Sequence, residues 1–234
     1  MIKAIFFDWF NTLAHYYPPR EELESQALKE LGFAVSPKEL SYGLYLGDKM
    51  MYEENARIPV RLRSREDQTQ LYMRFHRTIL KEVNINASDE VVLKLLKRML
   101  QLNDSMKFVL FDDVITTLKT LKKQDLKLGL LTNLQTEVGS MCRELGIAEY
   151  LDFTVTSGEA GADKPQPPIF LKALELAQVT AAEAMHVGDQ YQNEVRGARG
   201  GGIAPILLDR ADYYAEIKDC PRIKSLSEVS KYIK

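Results

Sequence analysis

Residues 2–8 read IKAIFFD, and the way this run ends decides the reading of the chain. Ile2 to Phe7 are mostly β-branched or aromatic, and the run ends abruptly at a single acid, Asp8. That pattern predicts a short strand buried on both faces. Such strands belong to parallel sheets covered by helices. Four later apolar runs repeat it: LKLGLLTN (126–133), YLDFTVTS (150–157), AMHVGD (184–189) and IAPILLD (203–209). Helical patterns over 113–123, 135–145, 168–177 and 191–199 alternate with them. The alternation predicts an α/β fold built on a doubly wound parallel sheet.

Between the first strand and the rest the grammar is different. Leu23, Ala27, Leu28 and Leu31 recur at helical spacing, and Gly32 follows as a C-terminal stop. SPKE (36–39) has the form of a capping box with proline at the first helical position, and Leu40 and Leu44 continue its face. SRED (64–67) opens a third helix backed by Leu71, Met73, Phe75, Ile79 and Leu80, and residues 88–102 form a fourth. No strand is expected in this block. The predicted organisation is therefore a core of residues 1–16 and 108–234 interrupted by an all-helical insertion, 17–107.

The bulk properties exclude several classes. The chain has 234 residues, 45% of them hydrophobic, enough for a sizeable core, and its formal net charge is −2. No global field draws in nucleic acid or an anionic membrane surface. No apolar run approaches the roughly 20 residues of a membrane span, and no targeting segment is visible, so the expected location is the cytoplasm. Cys142 and Cys220 form neither a CxxC pair nor part of a zinc-type cluster. They read as small buried hydrophobes in a reducing compartment.

In an open parallel sheet, ligands bind beyond the carboxyl ends of the strands. Asp8 ends the first strand, Thr132-Asn133 the second, and Gly188-Asp189 the fourth. The loop after the third, SGEAGADKPQPP (157–168), carries Lys164. Each alone has a simpler explanation: strand-end acids, threonines and asparagines cap helices or turns, and loop lysines face water. Together they form a chemically coherent set on one rim. Asp8 is a candidate nucleophile. Asp189 adds a carboxylate for a hard cation such as Mg²⁺, with Glu194 supporting it directly or through water. Thr132 and backbone amides can hold the oxygens of a transferring group, and Lys164 offsets the gathered negative charge.

The stretches FFDWFNTL (6–13), LLTN (130–133), DKPQPPIF (163–170) and VGDQYQNEVRGAR (187–199) resemble, in that order, the four motifs of the haloacid dehalogenase-like hydrolase superfamily. The resemblance covers the whole chain. It implies a Rossmann-like core with an inserted helical cap. It further implies that Asp8 is the nucleophile, that Thr132 binds the substrate group with Asn133 and Thr12 nearby, and that Lys164 stabilises nucleophile and reacting group. Mg²⁺ would be held by Asp8, Asp189, the backbone carbonyl of Phe10, and Glu194. Two positions depart from the pattern: Phe10 stands where most phosphatases of the group have a proton-donating Asp, and Glu194 where they have a second Asp.

These departures pull apart. Phe10 cannot protonate a leaving oxygen, a loss that does not matter to a departing halide, and dehalogenases of the group also carry an aromatic residue there. Asp189 and Glu194 point the other way, because a carboxylate attacking a phosphate dianion needs a cation and one attacking a halogen-bearing carbon does not. The favoured expectation is a Mg²⁺-dependent phosphatase working through an aspartyl phosphate on a small anionic substrate, as a monomer or homodimer. The runner-up is a 2-haloacid dehalogenase acting through an aspartyl ester. A degenerate domain with a binding role, and a phosphonate hydrolase using Lys29, Lys38 or Lys49, also remain open. Substrate-lining candidates in or near the cap are Tyr16, Tyr17, Arg20, Arg57, Arg61, Arg63 and Arg65.

Overall fold

The computed structural model describes residues 1–233. The chain divides into two compact units, one made of Met1–His15 with the chain from Val109 to its end, the other of Tyr16–Phe108. In chain order the elements begin with β1 (Ala4–Phe7) and β2 (Ala14–Tyr17). Four helices follow: α1 (Arg20–Glu30), α2 (Pro37–Arg57), α3 (Arg65–Glu82) and α4 (Asp89–Asn103). Then come β3 (Lys107–Leu110), α5 (Val114–Lys122), β4 (Lys127–Thr132) and α6 (Gly139–Glu144). The remainder is β5 (Phe153–Thr156), α7 (Ser157–Ala160), α8 (Pro167–Ala177), β6 (Ala184–Gly188), α9 (Arg196–Gly200), β7 (Ala204–Leu208) and β8 (Arg222–Ile223).

The first unit is the doubly wound sheet that the sequence predicts. Six strands lie in the order β5-β4-β1-β6-β7-β8, all paired in parallel. β1 sits at the centre, with Phe7 opposite Leu130 of β4 and Val187 of β6. The chain winds outward from β1 first to one side and then to the other, which makes the ends of β1, β4 and β6 the switch point of the sheet. Ile5, Phe6 and Phe7 are fully buried. On one face Ala4, Phe6, Leu131 and Val155 pack with Ile169, Phe170 and Ala173 of α8 and Ala198 of α9. Each large apolar side chain buried this way contributes about 1.5–3 kcal/mol.

The second unit is helical. Ser36 and Glu39 form the predicted capping box at the start of α2, and Ser64 and Ser88 cap α3 and α4 by accepting from Asp67 N and Val91 N. The inward faces are Leu23 and Leu28 of α1, Leu40 and Leu44 of α2, Ile79 and Leu80 of α3, and Leu95 and Met99 of α4. Gly43 and Gly47 let α2 and α3 approach closely, since a Cβ at Gly47 would stand 2.8 Å from the Phe75 ring.

Three features differ from the sequence reading. β2 and β3 form a two-stranded ribbon through which the chain leaves the first unit and returns to it. Their four-residue runs, AHYY and KFVL, are only partly buried and carry no alternation to mark them. β8 has two residues and pairs with β7. The helix predicted over 191–199 starts as a π-helical turn, Tyr191–Val195, before α9. Among the described residues no helix is long and apolar enough to cross a membrane.

Leu95 has no exposed surface and lies inside the helical core. Leu95→Ala should destabilise this unit by about 2–5 kcal/mol, read as a lower urea midpoint in its unfolding transition.

Candidate active site

The site stands at the switch point of the sheet. β1 ends at Phe7, and the next residue, Asp8, stays in the sheet's frame because its N–H donates to the Val187 carbonyl at 2.9 Å. The chain then closes into a tight loop. Leu13 N and Ala14 N both donate to the Trp9 carbonyl, Asn11 N donates to Ala14 O, and Phe10 bridges to Ala14. Asn11 takes the left-handed region at φ 59°, which asparagine tolerates better than most residues. The loop folds Thr12 back so that its hydroxyl donates to Asp8 Oδ2 at 3.2 Å. Thr12 is fully buried, and its contact is to the candidate nucleophile.

Lys164 reaches the same point from the loop after α7. Its side chain is 1% exposed. Nζ donates to Asp8 Oδ1 at 2.5 Å, to Glu194 Oε2 at 2.9 Å and to the Leu131 carbonyl at 2.9 Å, which accounts for all three ammonium protons. Asn133 holds the lysine's backbone: its Oδ1 accepts from Lys164 N at 2.7 Å and its Nδ2 donates to Lys164 O at 3.1 Å. The amide of Asn133 therefore braces the lysine from the side. Thr132 is buried, and its Oγ1 accepts from Leu134 N at 3.3 Å.

Glu194 is carried by the π-helical turn, whose wider coil swings it back over β6. Gly188 makes room for it, because a Cβ there would stand 2.3 Å from Glu194 Cγ. Glu194 Oε2 also meets Nε2 of His186 at 2.6 Å. His186 is fully buried and meets the Phe170 ring edge-on at 5.3 Å. The sequence reading passed over this histidine. Its signal was there: in AMHVGD it is a polar residue inside an otherwise apolar strand, where an uncompensated imidazole would be costly. Asp189 lies half-buried at the end of β6, where its Oδ2 accepts from Gln190 Nε2 at 3.0 Å.

The electrostatics follow from three carboxylates and one ammonium. Burial pushes Asp8 up to about 6, with Lys164 opposing and Glu194 reinforcing the rise. Burial also drives Asp189 well above the usual carboxylate range, aided by repulsion from Asp8 and Glu194. Glu194 is buried too, yet Lys164 and His186 together pull it below its ordinary value. Lys164 resists the downward pull of burial and is raised by Asp8 and Glu194. Asp8 and Asp189 are thus the under-compensated acids, whereas Glu194 is matched by its two partners. Among the described residues no three His, Cys, Asp or Glu side chains converge as a complete metal cage. Two carboxylates suit Mg²⁺, which binds through one or two protein acids and keeps its waters or substrate oxygens.

Arg63 bonds to the Glu54 side chain and carbonyl, and Arg57 and Arg74 also pair with Glu54. Arg20 forms a forked pair with Asp48 at 3.0 Å, Tyr16 stacks on Phe108, and Tyr17 is exposed. Cys142 and Cys220 are free thiols, and burial pushes Cys142 up to about 11.

Comparison with known proteins gives a consistent picture. The pattern of the haloacid dehalogenase-like hydrolases matches residues 2–202. Haloacid dehalogenase-like hydrolase domain-containing protein 3 of Bos taurus is 40% identical over 92 residues, 39% of this chain and 37% of that protein. Glyceraldehyde 3-phosphate phosphatase of Methanopyrus kandleri is 35% identical over 104 residues, 44% of this chain and 45% of that protein. The chain spans half or less of the length of these curated relatives. Among solved structures, 2-haloacid dehalogenase from Pseudomonas syringae pv. Tomato DC3000 is 26% identical, with a TM-score of 0.57 over 99% of this chain and 97% of that one.

Lys164→Met would leave Asp8 and Glu194 buried without their shared cation. The expected loss is about 3–5 kcal/mol at neutral pH, measured by urea denaturation against the native chain.

Proposed function

The chain belongs to the haloacid dehalogenase-like hydrolase family, and from that footing we propose that this hydrolase is a Mg²⁺-dependent phosphatase acting on a small phosphorylated substrate. The observation that carries this reading is the acid surplus at the switch point. Asp189 adds a second under-compensated carboxylate beside Asp8, and burial raises both. Such an arrangement is costly on its own and is relieved by a divalent cation. The relative named for phosphatase activity on glyceraldehyde 3-phosphate supports the same reading.

In this reading Asp8 and Asp189, with the Phe10 carbonyl, would hold Mg²⁺, and Glu194 stands behind them on Lys164 and His186. When bound, the cation offsets the repulsion between the carboxylate and a phosphate dianion. An Asp8 carboxylate oxygen attacks phosphorus, the bond to the leaving oxygen breaks, and an aspartyl phosphate forms. Water then attacks phosphorus, releasing inorganic phosphate and restoring Asp8. Lys164 and the Thr12 hydroxyl orient the nucleophile, and the Thr132 hydroxyl, whose oxygen accepts from Leu134 N, would give its proton to a phosphoryl oxygen. Phe10 supplies no proton, so leaving groups of low basicity should react best.

A second reading, carbon–halogen hydrolysis, is favoured by Phe10 itself and by the 26% identity to a 2-haloacid dehalogenase. There the Asp8 ester would form on carbon, halide would depart without a proton, and no cation would be needed.

Incubation with p-nitrophenyl phosphate and with a 2-haloacid, each with and without Mg²⁺, separates the two. Phosphate release that stops with chelator and in Asp8→Asn is the expected result. Metal-independent halide release without phosphate release would reverse the order. Phe10→Asp should raise turnover of alkyl phosphates more than of aryl phosphates, by at most about 10²- to 10⁴-fold. An equal gain on both would show that proton donation is not what Phe10 removes.

A further inference from the structure

A second polar network in the sheet unit plays no part in the chemistry above. It centres on Arg210, which follows β7 at the end of the chain's apolar run. The guanidinium gives a forked pair of hydrogen bonds to Asp113, from Nη1 to Oδ2 and from Nη2 to Oδ1, both 2.9 Å. Nη2 also donates to the Thr12 carbonyl at 3.0 Å. The guanidinium carbon lies 3.9 Å from the centroid of the Phe111 ring. Asp113 is held from its far side, where Oδ2 accepts from Ser225 Oγ at 2.8 Å and Leu226 N at 2.9 Å. Phe111 is tied in as well: its N–H donates to the Leu13 carbonyl and its ring meets that of His15 at 4.6 Å.

Two stretches far apart in sequence therefore meet on one planar cation, the loop behind the nucleophile and the returning segment 109–113, and Asp113 in turn ties residues 225–226 to them. The forked bond to Asp113 and the Phe111 ring together fix the plane of the guanidinium. Once that plane is fixed, the direction of the N–H aimed at Thr12 is fixed too. The pair's side chains are 21% and 19% exposed. A forked pair of this kind adds geometric specificity as well as energy, and so it also sets where its neighbours lie.

What it puts in place is Thr12, the residue whose hydroxyl donates to Asp8 Oδ2. Other hydrogen bonds of the loop run among Trp9, Asn11, Leu13 and Ala14, and the Leu13 carbonyl accepts from Phe111 N, but the Thr12 carbonyl itself is held by Arg210. We infer that Arg210 is a positioning residue for the reaction: by gripping the Thr12 carbonyl it sets the Thr12 hydroxyl on the nucleophile, and through Asp113 it makes the segment at Ser225 part of the frame of the site. This rests on Asp8 being the nucleophile. A lysine cannot substitute, because a point charge cannot serve Asp113 in a fork and Thr12 in a fixed direction at once.

The test uses the full chain with Arg210→Gln, Arg210→Lys, Thr12→Val and the Arg210→Gln/Thr12→Val double variant. Two readouts are taken: kcat and KM on p-nitrophenyl phosphate with Mg²⁺, and hydrogen–deuterium exchange of the amides from Trp9 to Ala14. Arg210→Gln and Arg210→Lys should lower kcat by about 10- to 100-fold with KM little changed, and should speed exchange in that loop. The double variant should be no slower than the slower single one, since both changes break one chain of contacts. Losses that multiply, a kcat that does not move, or unchanged loop exchange would each overturn the inference. If Arg210→Gln does not fold, Asp113→Asn removes the same fork without removing the guanidinium and should give the same two effects. If the unaltered protein hydrolyses no phosphate ester, the reading of the reaction fails, and loop exchange alone decides whether Arg210 holds Thr12.

Discussion

The ammonium of Lys164 is the contact on which the site depends. It is buried, and its three protons go to Asp8, Glu194 and the Leu131 carbonyl. Each acceptor comes from a different part of the sheet's switch point: the residue after β1, the turn after β6, and β4 itself. A buried cation demands full satisfaction. These segments therefore cannot drift apart without stranding it. The lysine's main chain is tied to Asn133, just past β4. One side chain thus fixes the mutual positions of three strand ends and holds the candidate nucleophile in a single orientation.

Around that contact the charges are unequal, and the inequality has a direction. Glu194 is matched by Lys164 and His186. Asp8 shares the lysine, and its charge helps to raise Asp189. The surplus is thus concentrated on Asp8 and Asp189, while Glu194 is neutralised by the protein. Placing Glu194 there depends on two local facts. The turn from Tyr191 to Val195 is wound more widely than an α-helix, and Gly188 has no side chain to block the approach. π-helical turns recur at functional sites because they re-aim a side chain without breaking a helix.

The fold was legible because it rests on apolar periodicity, which sequence carries directly: β1, β4, β5, β6 and β7 all lie within the runs read from it. Asp8, Thr132 and Asp189 were legible because strand ends are. What sequence could not show was which partners long-range closure would supply. Lys164 in a proline-rich loop looks solvated until three acceptors converge on it. The bonds of the Asn133 amide to the lysine's backbone likewise have no signature in LLTN. Arg210 donates to a carbonyl 198 residues away, a pairing with no local signature. The short strands β2, β3 and β8 escaped because four residues or fewer, half-exposed, have no period to detect.

The ribbon of β2 and β3 has a consequence for the chain as an object of construction. The two crossings between units lie on hydrogen-bonded neighbouring strands, so the helical segment enters and leaves the sheet unit at a single doorway. A piece of chain whose two ends are already side by side can be cut out and the gap closed by a tight turn, or replaced by an insert of any length whose own ends meet. None of the six strands of the sheet would need to change partner. The architecture is therefore a socket: the chemistry stays on the strands while the insert can be exchanged as a module.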